Sequence, residues 1–314
     1  WHKETYDTAQ IWLDKLTDSQ ELKKNSDLHY QHLSAQIKIY YDRNLNQLGI
    51  NECKDAIALA AKLNDSLLLR DAYSMLGSLN YNIQNIPLSL QHFKEAIKYS
   101  PHVYTNSRYI GLWGLYEIYM GMGYSYVETK DLDSALTYTN LSQKIGEQSV
   151  NHDYIVDASD LLHFLHFALN QMDSSLYYTR KIDSMSLALH NNGYAILAYT
   201  GYLRYYDTLH NNKLVMEYFN KGINLLKADA GISHFSAQQF LYFAIRVLKK
   251  YGNYPAVIDA MELSTSISYK TFRNSAIQTN GIENAALKKE TKILAAELNE
   301  ATQKRKANNL VLFS

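Results

Sequence analysis

Laid against itself with an offset of 40 residues, this chain aligns over three consecutive stretches. Residues 131–139 read DLDSALTYT, residues 171–179 read QMDSSLYYT and residues 211–219 read NNKLVMEYF. A small residue recurs at Ala135, Ser175 and Val215, an apolar one at Leu136, Leu176 and Met216, and a tyrosine at Tyr138, Tyr178 and Tyr218. A fixed period of this size means a row of like units, each too small to bury its own apolar face and completed by its neighbour. With only 3 prolines and 13 glycines in 314 residues, breakers are too few for a turn-rich β fold, so the units are expected to be helical.

One unit shows what holds such helices together. Tyr73, Leu76 and Gly77 stand on a first helix, Ser89, Phe93 and Ala96 on a second, and Pro101 closes it. The next unit carries Tyr119, Gly123, Tyr126 and Ala135. Gly77 and Gly123 let two helices approach where a larger side chain would clash, and the aromatics fill the next gap along the seam. This pattern resembles the tetratricopeptide repeat, with one departure: Asn80 stands at an aromatic position, with Tyr81 beside it.

Weaker matches extend the resemblance over roughly residues 3–268. Cys53, Ile57 and Ala60 suit the second helix of an earlier pair whose first helix covers about 27–43. Ser159, Leu162, His166 and Ser175 suit one later unit; Tyr199, Tyr202, Tyr206, Val215 and Phe219 the next; and Phe240, Phe243, Val247, Ala256 and Ala260 a fifth. Residues 3–16 read as a lone helix. The expected fold is all-α: a tetratricopeptide-like helical-hairpin solenoid of about five or six helix pairs, over residues 1–268, followed by a long C-terminal helix in residues 269–314. The period exceeds the usual ~34 residues. Six extra helical residues would add ~9 Å per pair, so longer helices or looser loops are expected, with Gly193, Gly231 and Gly252 at loop sites.

The 31 basic residues equal the 31 acidic ones, so nothing in the balance recruits nucleic acid. The single cysteine, Cys53, excludes an internal disulfide and reads as a small buried apolar residue. No Gly-rich phosphate loop, HExxH zinc motif or nucleophile elbow is present, so the chain is expected to bind rather than catalyse, without a cofactor. Asp160, His163 and His166 are three apart on one helix face, with His152 nearby, as a metal site would require. His29 and His32 are spaced alike. The repeat register instead puts His163 and His166 on the seam between helices, and no metal is expected there.

In the tetratricopeptide family the first helices line the concave face. Carried onto this sequence, the outermost groove position holds Asp71, Glu117 and Asp157, and the next holds Ser74, Met120 and Asp160. Further in come Tyr81, Tyr124, Phe164, Phe167, Arg204 and Asp207. The resemblance implies a protein or peptide partner in this groove. The family's basic clamp for a peptide carboxylate is missing, because those positions are acidic. An acid-and-aromatic groove repels carboxylates and favours cationic or apolar ligands. The plain alternative is that these acids only solvate an exposed face.

Residues 269–314 differ in kind. Between Ala285 and Asn308 there is no proline or glycine, and Leu287, Thr291, Leu294, Leu298, Ala301, Arg305 and Asn308 follow steps of three and four. That coiled-coil-like stripe suits a homodimer. Lys304, Arg305 and Lys306 then precede the apolar run Leu310–Phe313, as at the start of a membrane span. The arrangement resembles the tetratricopeptide sensor regions of membrane-anchored bacterial regulators common in Bacteroidetes. There a periplasmic array is joined by a helical linker and one span to a histidine kinase or DNA-binding output. The resemblance implies a periplasmic array anchored in the inner membrane through sequence beyond Ser314. Against it, a Lys304–Lys306 cluster is preferred on the cytoplasmic side. The alternative is a soluble cytoplasmic scaffold that mediates protein–protein interaction.

Overall fold

The structure, a computed structural model, describes residues 12–13, 15–16, 19–100, 114–149, 151–229 and 231–270. The chain divides into two units, Trp1–Ser266 and Ile267–Ser314, and the first carries everything described below. No strand occurs among the described residues. After a short α1 (Gln20–Lys24), the helices pair as hairpins: α2 (Ser26–Asp42) with α3 (Asn46–Leu63), and α4 (Ser66–Asn82) with α5 (Ile86–Lys98). Then come α6 (Leu115–Glu128) with α7 (Leu132–Gln148), α8 (His152–Ala168) with α9 (Met172–Leu189), and α10 (Asn192–Thr208) with α11 (Asn212–Ala228). Finally α12 (His234–Lys250) pairs with α13, which starts at residue 254. Each helix packs on the next, and in addition the first helices α2, α4, α6, α8, α10 and α12 touch one another in order. They form a continuous inner wall, and the all-α hairpin solenoid expected from the repeat is the observed fold.

The same turn closes all six hairpins. Asn44, Gln84, Lys130, Asn170, His210 and Gly252 adopt left-handed backbone, with φ between 53° and 68°. The next N–H reaches back five residues, as from Leu45 to the Tyr40 carbonyl, Asp131 to Tyr126 and Asn253 to Leu248. This double closure caps the carbonyls that a helix end leaves open. In four hairpins the residue after the turn also caps the following helix, Asn85, Asp131, Asn211 and Asn253 each accepting from a first-turn N–H. One tight loop thus stops one helix and starts the next. Of the glycines expected in loops, Gly252 occupies such a turn and Gly231 lies between α11 and α12. Gly193 instead sits in the first turn of α10.

The extra length of the repeat lies in the helices, most of which run 17 or 18 residues. The repeating residues occupy equivalent places. Ala135, Ser175 and Val215 are fully buried, and so, or nearly so, are Thr139, Thr179 and Phe219 four positions on. Tyr138 stacks on Tyr126 with ring centroids 5.5 Å apart, Tyr178 on His166 at 5.5 Å and Tyr218 on Tyr206 at 5.6 Å. The Asn80 departure falls at this same stacking position. Asn80 is buried and its amide donates to the Leu76 carbonyl at 2.8 Å, so a hydrogen bond replaces the ring.

Close approach by glycine is strongest around Phe93. Its ring is fully buried between Gly77 of α4 and Gly121 of α6. A Cβ at Gly77 would lie 2.8 Å from that ring, and one at Gly121 closer still. At Gly123 a Cβ would meet the Thr139 hydroxyl at 2.6 Å. Cys53 is buried among the apolar side chains of α2, α3 and α4. Of residues 3–16, the four that are described are helical. Pro101, the Leu287–Asn308 stripe, Lys304–Lys306 and Leu310–Phe313 lie outside the described residues. Among the described residues no helix is long and apolar enough to cross a membrane.

Candidate partner-binding groove

The three acids expected at the outer groove position have different surroundings. Asp71 on α4 is fully buried, and its Oδ1 accepts from Arg70 Nε at 2.7 Å and pairs with Arg70 Nη2 at 2.5 Å. It therefore does not stand open in the groove, which corrects the sequence reading. The physical reason is local: the neighbouring guanidinium is also fully buried, and a buried charge persists only with its counter-charge. Ser74, one turn on, is likewise buried.

Glu117 and Asp157 do reach the groove. Glu117 caps its own helix by accepting from the Gly114 N–H at 2.9 Å and accepts the Tyr154 hydroxyl at 2.5 Å. Burial raises its carboxyl above the usual range, against the lowering effect of these hydrogen bonds. Asp157 has its side chain open to water, yet stands in a wall that displaces much of the surrounding solvent. That desolvation, with Asp153 and Asp160 on the same helix, pushes its carboxyl up to about 7.

These residues edge a cavity of about 470 Å³, a size suited to a small ligand or a few side chains. It is lined by Tyr41 of α2, Ser78, Tyr81 and Asn82 of α4, and Phe93 of α5. Tyr116, Glu117, Met120, Gly121 and Tyr124 of α6 follow, with Asp157 of α8 and Phe235 of α12. Tyr81 and Tyr124 face each other at 6.3 Å, their rings inclined by 46°. Tyr116 stacks on Tyr154 at 4.0 Å and donates to the Tyr154 carbonyl at 2.8 Å, which fixes that wall. A second cavity of about 520 Å³ adjoins at Asp157. It is lined by Leu189–Leu197 residues before and within α10, and by Asp229, Gly231, Ile232, Ser233 and Ser236 at the start of α12.

Further along the wall Asp160, Phe164 and Arg204 form an internal cluster. The buried Arg204 guanidinium lies between the rings of Phe164 at 5.4 Å and Phe243 at 5.2 Å. Burial lowers the Arg204 pKa, which Asp160 opposes, and burial raises that of Asp160, which Arg204 opposes. Phe167 packs beside His163 at 6.4 Å. Asp207 accepts from Lys250 Nζ of α12 at 2.8 Å. Of the twelve expected groove residues, Tyr81, Glu117, Met120, Tyr124 and Asp157 line the main cavity, and Asp160, Phe164, Phe167, Arg204 and Asp207 brace the wall beyond it.

The histidines lie on the seam. His163 is buried with Nδ1 at 2.9 Å from both the Ser175 and Thr179 hydroxyls, and burial pushes it down to about 3. His166 stacks on Tyr178 and bonds the Gln171 amide at 2.6 Å. Among the described residues no three His, Cys, Asp or Glu side chains gather as a metal site would need.

Sequence reasoning missed Tyr41, Tyr116, Tyr154, Tyr194 and Phe235. For two of them the signal was the offset of 40 itself: Tyr154 and Tyr194 occupy the same place in successive units. Each hydroxyl reaches back to an acid of the preceding first helix, Tyr154 to Glu117 and Tyr194 to Asp153.

No family model matches the chain, and no curated protein matches it. Solved structures do. BtubC (BKLC) from P. vanneervenii is 13% identical with a TM-score of 0.54, over 72% of this chain and 92% of that one. The apo form of RapI is 14% identical with a TM-score of 0.59, over 86% and 91%. A Rap protein complexed with competence and sporulation factor is 15% identical with a TM-score of 0.58, over 86% and 70%. At these identities the likeness establishes the fold alone: a tetratricopeptide-like helical repeat.

Proposed function

We propose that the chain is a non-catalytic receptor array whose inner groove binds a protein or peptide partner. The observation that carries this reading is the cavity around Tyr124. It is open, contiguous, and assembled from α2, α4, α5, α6, α8 and α12, so the superhelix as a whole shapes it. Helical repeats offer extended inner surfaces for such binding. A Rap protein of this fold is known in complex with competence and sporulation factor, which supports a partner-binding role for the array here. The test is to pan a random peptide display library against the full chain. Enriched sequences whose binding is lost in Tyr124→Ala, with thermal unfolding retained, support the reading. Enrichment indifferent to Tyr124 sinks it.

The finer reading is a sensor region, which relays groove occupancy through the helical segment around residues 285–308 to an output module across a membrane. It rests on the heptad-like stripe, the Lys304–Lys306 cluster and the apolar Leu310–Phe313 run. On this reading ligand binding biases the stacking of the array, and a dimeric linker carries the change. The coding sequence past Ser314 decides it: about 15 further apolar codons support a span, and a stop codon or polar sequence leaves a soluble scaffold.

A further inference from the structure

We propose that the groove takes a basic peptide, with an arginine or lysine side chain seated between the tyrosines of the main cavity and the carboxylate of Asp157. This deepens the groove reading and rests on it. Three observations converge. First, three tyrosines line the cavity, Tyr81, Tyr116 and Tyr124, with the Tyr81 and Tyr124 rings 6.3 Å apart and inclined by 46°. Aromatic faces attract a cation through their quadrupole, and a flat guanidinium stacks on them.

Second, Asp157 stands at the rim without an ion pair among the described residues, and the charged groups that act on it are Asp153 and Asp160. Asp153 already accepts from Tyr194, and Asp160 is balanced in part by Arg204. Glu117 is held by Gly114 and Tyr154. Among the described acids that line the two cavities, Glu117 and Asp229 are held by hydrogen bonds within the fold and Asp157 is not, so a cation brought by a ligand supplies its counter-charge. A carboxylate ligand would instead add a further like charge to this wall. The chain as a whole carries 31 basic and 31 acidic residues, so this local sign, rather than net charge, selects the partner.

Third, Asp157 belongs to two cavities at once, the aromatic one of about 470 Å³ and its polar neighbour of about 520 Å³. One small cation does not fill both. An extended peptide does: its basic side chain enters the aromatic cavity while its amides meet the Asn191, Asn192, Asp229 and Ser233 rim of the other.

The test is fluorescence anisotropy on the full chain with three labelled peptides of equal length, alternating glycine with arginine, glutamate or glutamine. The arginine peptide is expected to bind. Asp157→Asn and Tyr124→Ala should each weaken it about tenfold, while Asp133→Asn, exposed on the first turn of α7, should leave it unchanged. Equal binding to all variants overturns the assignment. Equal or tighter binding of the glutamate or glutamine peptide overturns the charge preference and leaves the groove reading standing. So does failure of all three peptides beside a successful library selection. Free arginine amide competing with the affinity of the peptide itself overturns the peptide in favour of a small cation. Should Tyr124→Ala fail to fold, Asp157→Asn carries the test alone, because its side chain is exposed.

Discussion

Asp71 and Asp157 occupy the same register of first helices two hairpins apart, and the structure treats them in opposite ways. Around Asp71 the charge is closed within the fold, since Arg70 and Asp71 are both fully buried against each other. Around Asp157 it is left open: the side chain meets water, and its charged neighbours are acids. The first arrangement serves stability and the second is available to a ligand. Position in the repeat decides where along the helix an acid stands, while its neighbour in space decides what the acid does.

The contrast can be broken most forcefully at its closed end. Asp71→Ala removes the carboxylate hydrogen-bonded to a buried guanidinium and should cost about 3–5 kcal/mol in denaturant unfolding. Asp157→Ala should stay within about 0.5 kcal/mol. Similar losses at the two sites would erase the distinction. Next in size is the joint between the two regions, where Phe93 is clamped by Gly77 and Gly121. Gly77→Leu should cost about 2–4 kcal/mol by overpacking and should also weaken any groove ligand, because Phe93 lines the cavity. A neutral result would mean that the close approach at Phe93 does not depend on the missing side chain at Gly77.

Protonation sharpens the comparison on α8, which carries Asp157 toward the groove and His163 into the seam. His163 is pushed down from 6.5 to about 3 by burial, so its neutral form contributes fully above pH 6.5, and stability is lost as the pH falls toward 3. By about pH 5 the loss should be about 2 kcal/mol, read as a falling denaturation midpoint that His163→Gln no longer shows. Asp157 runs the other way. Its carboxyl is pushed up from 3.8 to about 7, so the folded state holds a proton that the unfolded chain releases. The resulting penalty is complete above about pH 7 and relieved as the pH falls toward 4. Water screens the exposed side chain, so Asp157→Asn should stabilise by only a few tenths of a kcal/mol. The gain should be larger at about pH 8 than at about pH 5.

Much of this was legible before any coordinates. The offset of 40 places Ala135, Ser175 and Val215 at equivalent buried positions, and the tetratricopeptide-like pattern places Gly77 and Gly123 at close approaches. The repeat register also puts His163 on a seam between helices. The turn residues were harder to read. The left-handed position is filled by Asn44, Gln84, Lys130, Asn170 and His210, and by glycine only at Gly252. The hydrogen bonds of the closure hold those side-chain-bearing residues there, so a search for glycine finds one turn of six. Five of the twelve expected groove residues line the main cavity. Asp71 and Ser74 are buried instead, and the other five stand along the wall beyond it, because register along a helix carries no information about which neighbour has turned to meet it.

The sequence by itself determined the repeat, the helical hairpin, the seam residues and the inner set of helices. These depend on contacts within a unit and with the next one, and so recur with the period. Only the tertiary structure decided that Asp71 is neutralised, that Asp157 is not, and that Phe235 of the last described first helix shares a cavity with Tyr41 of the first. The first turns on burial of a neighbour on the same helix, and the shared cavity on how the units wind around one another. Small rotations between successive hairpins accumulate along the array, and no single repeat encodes their sum.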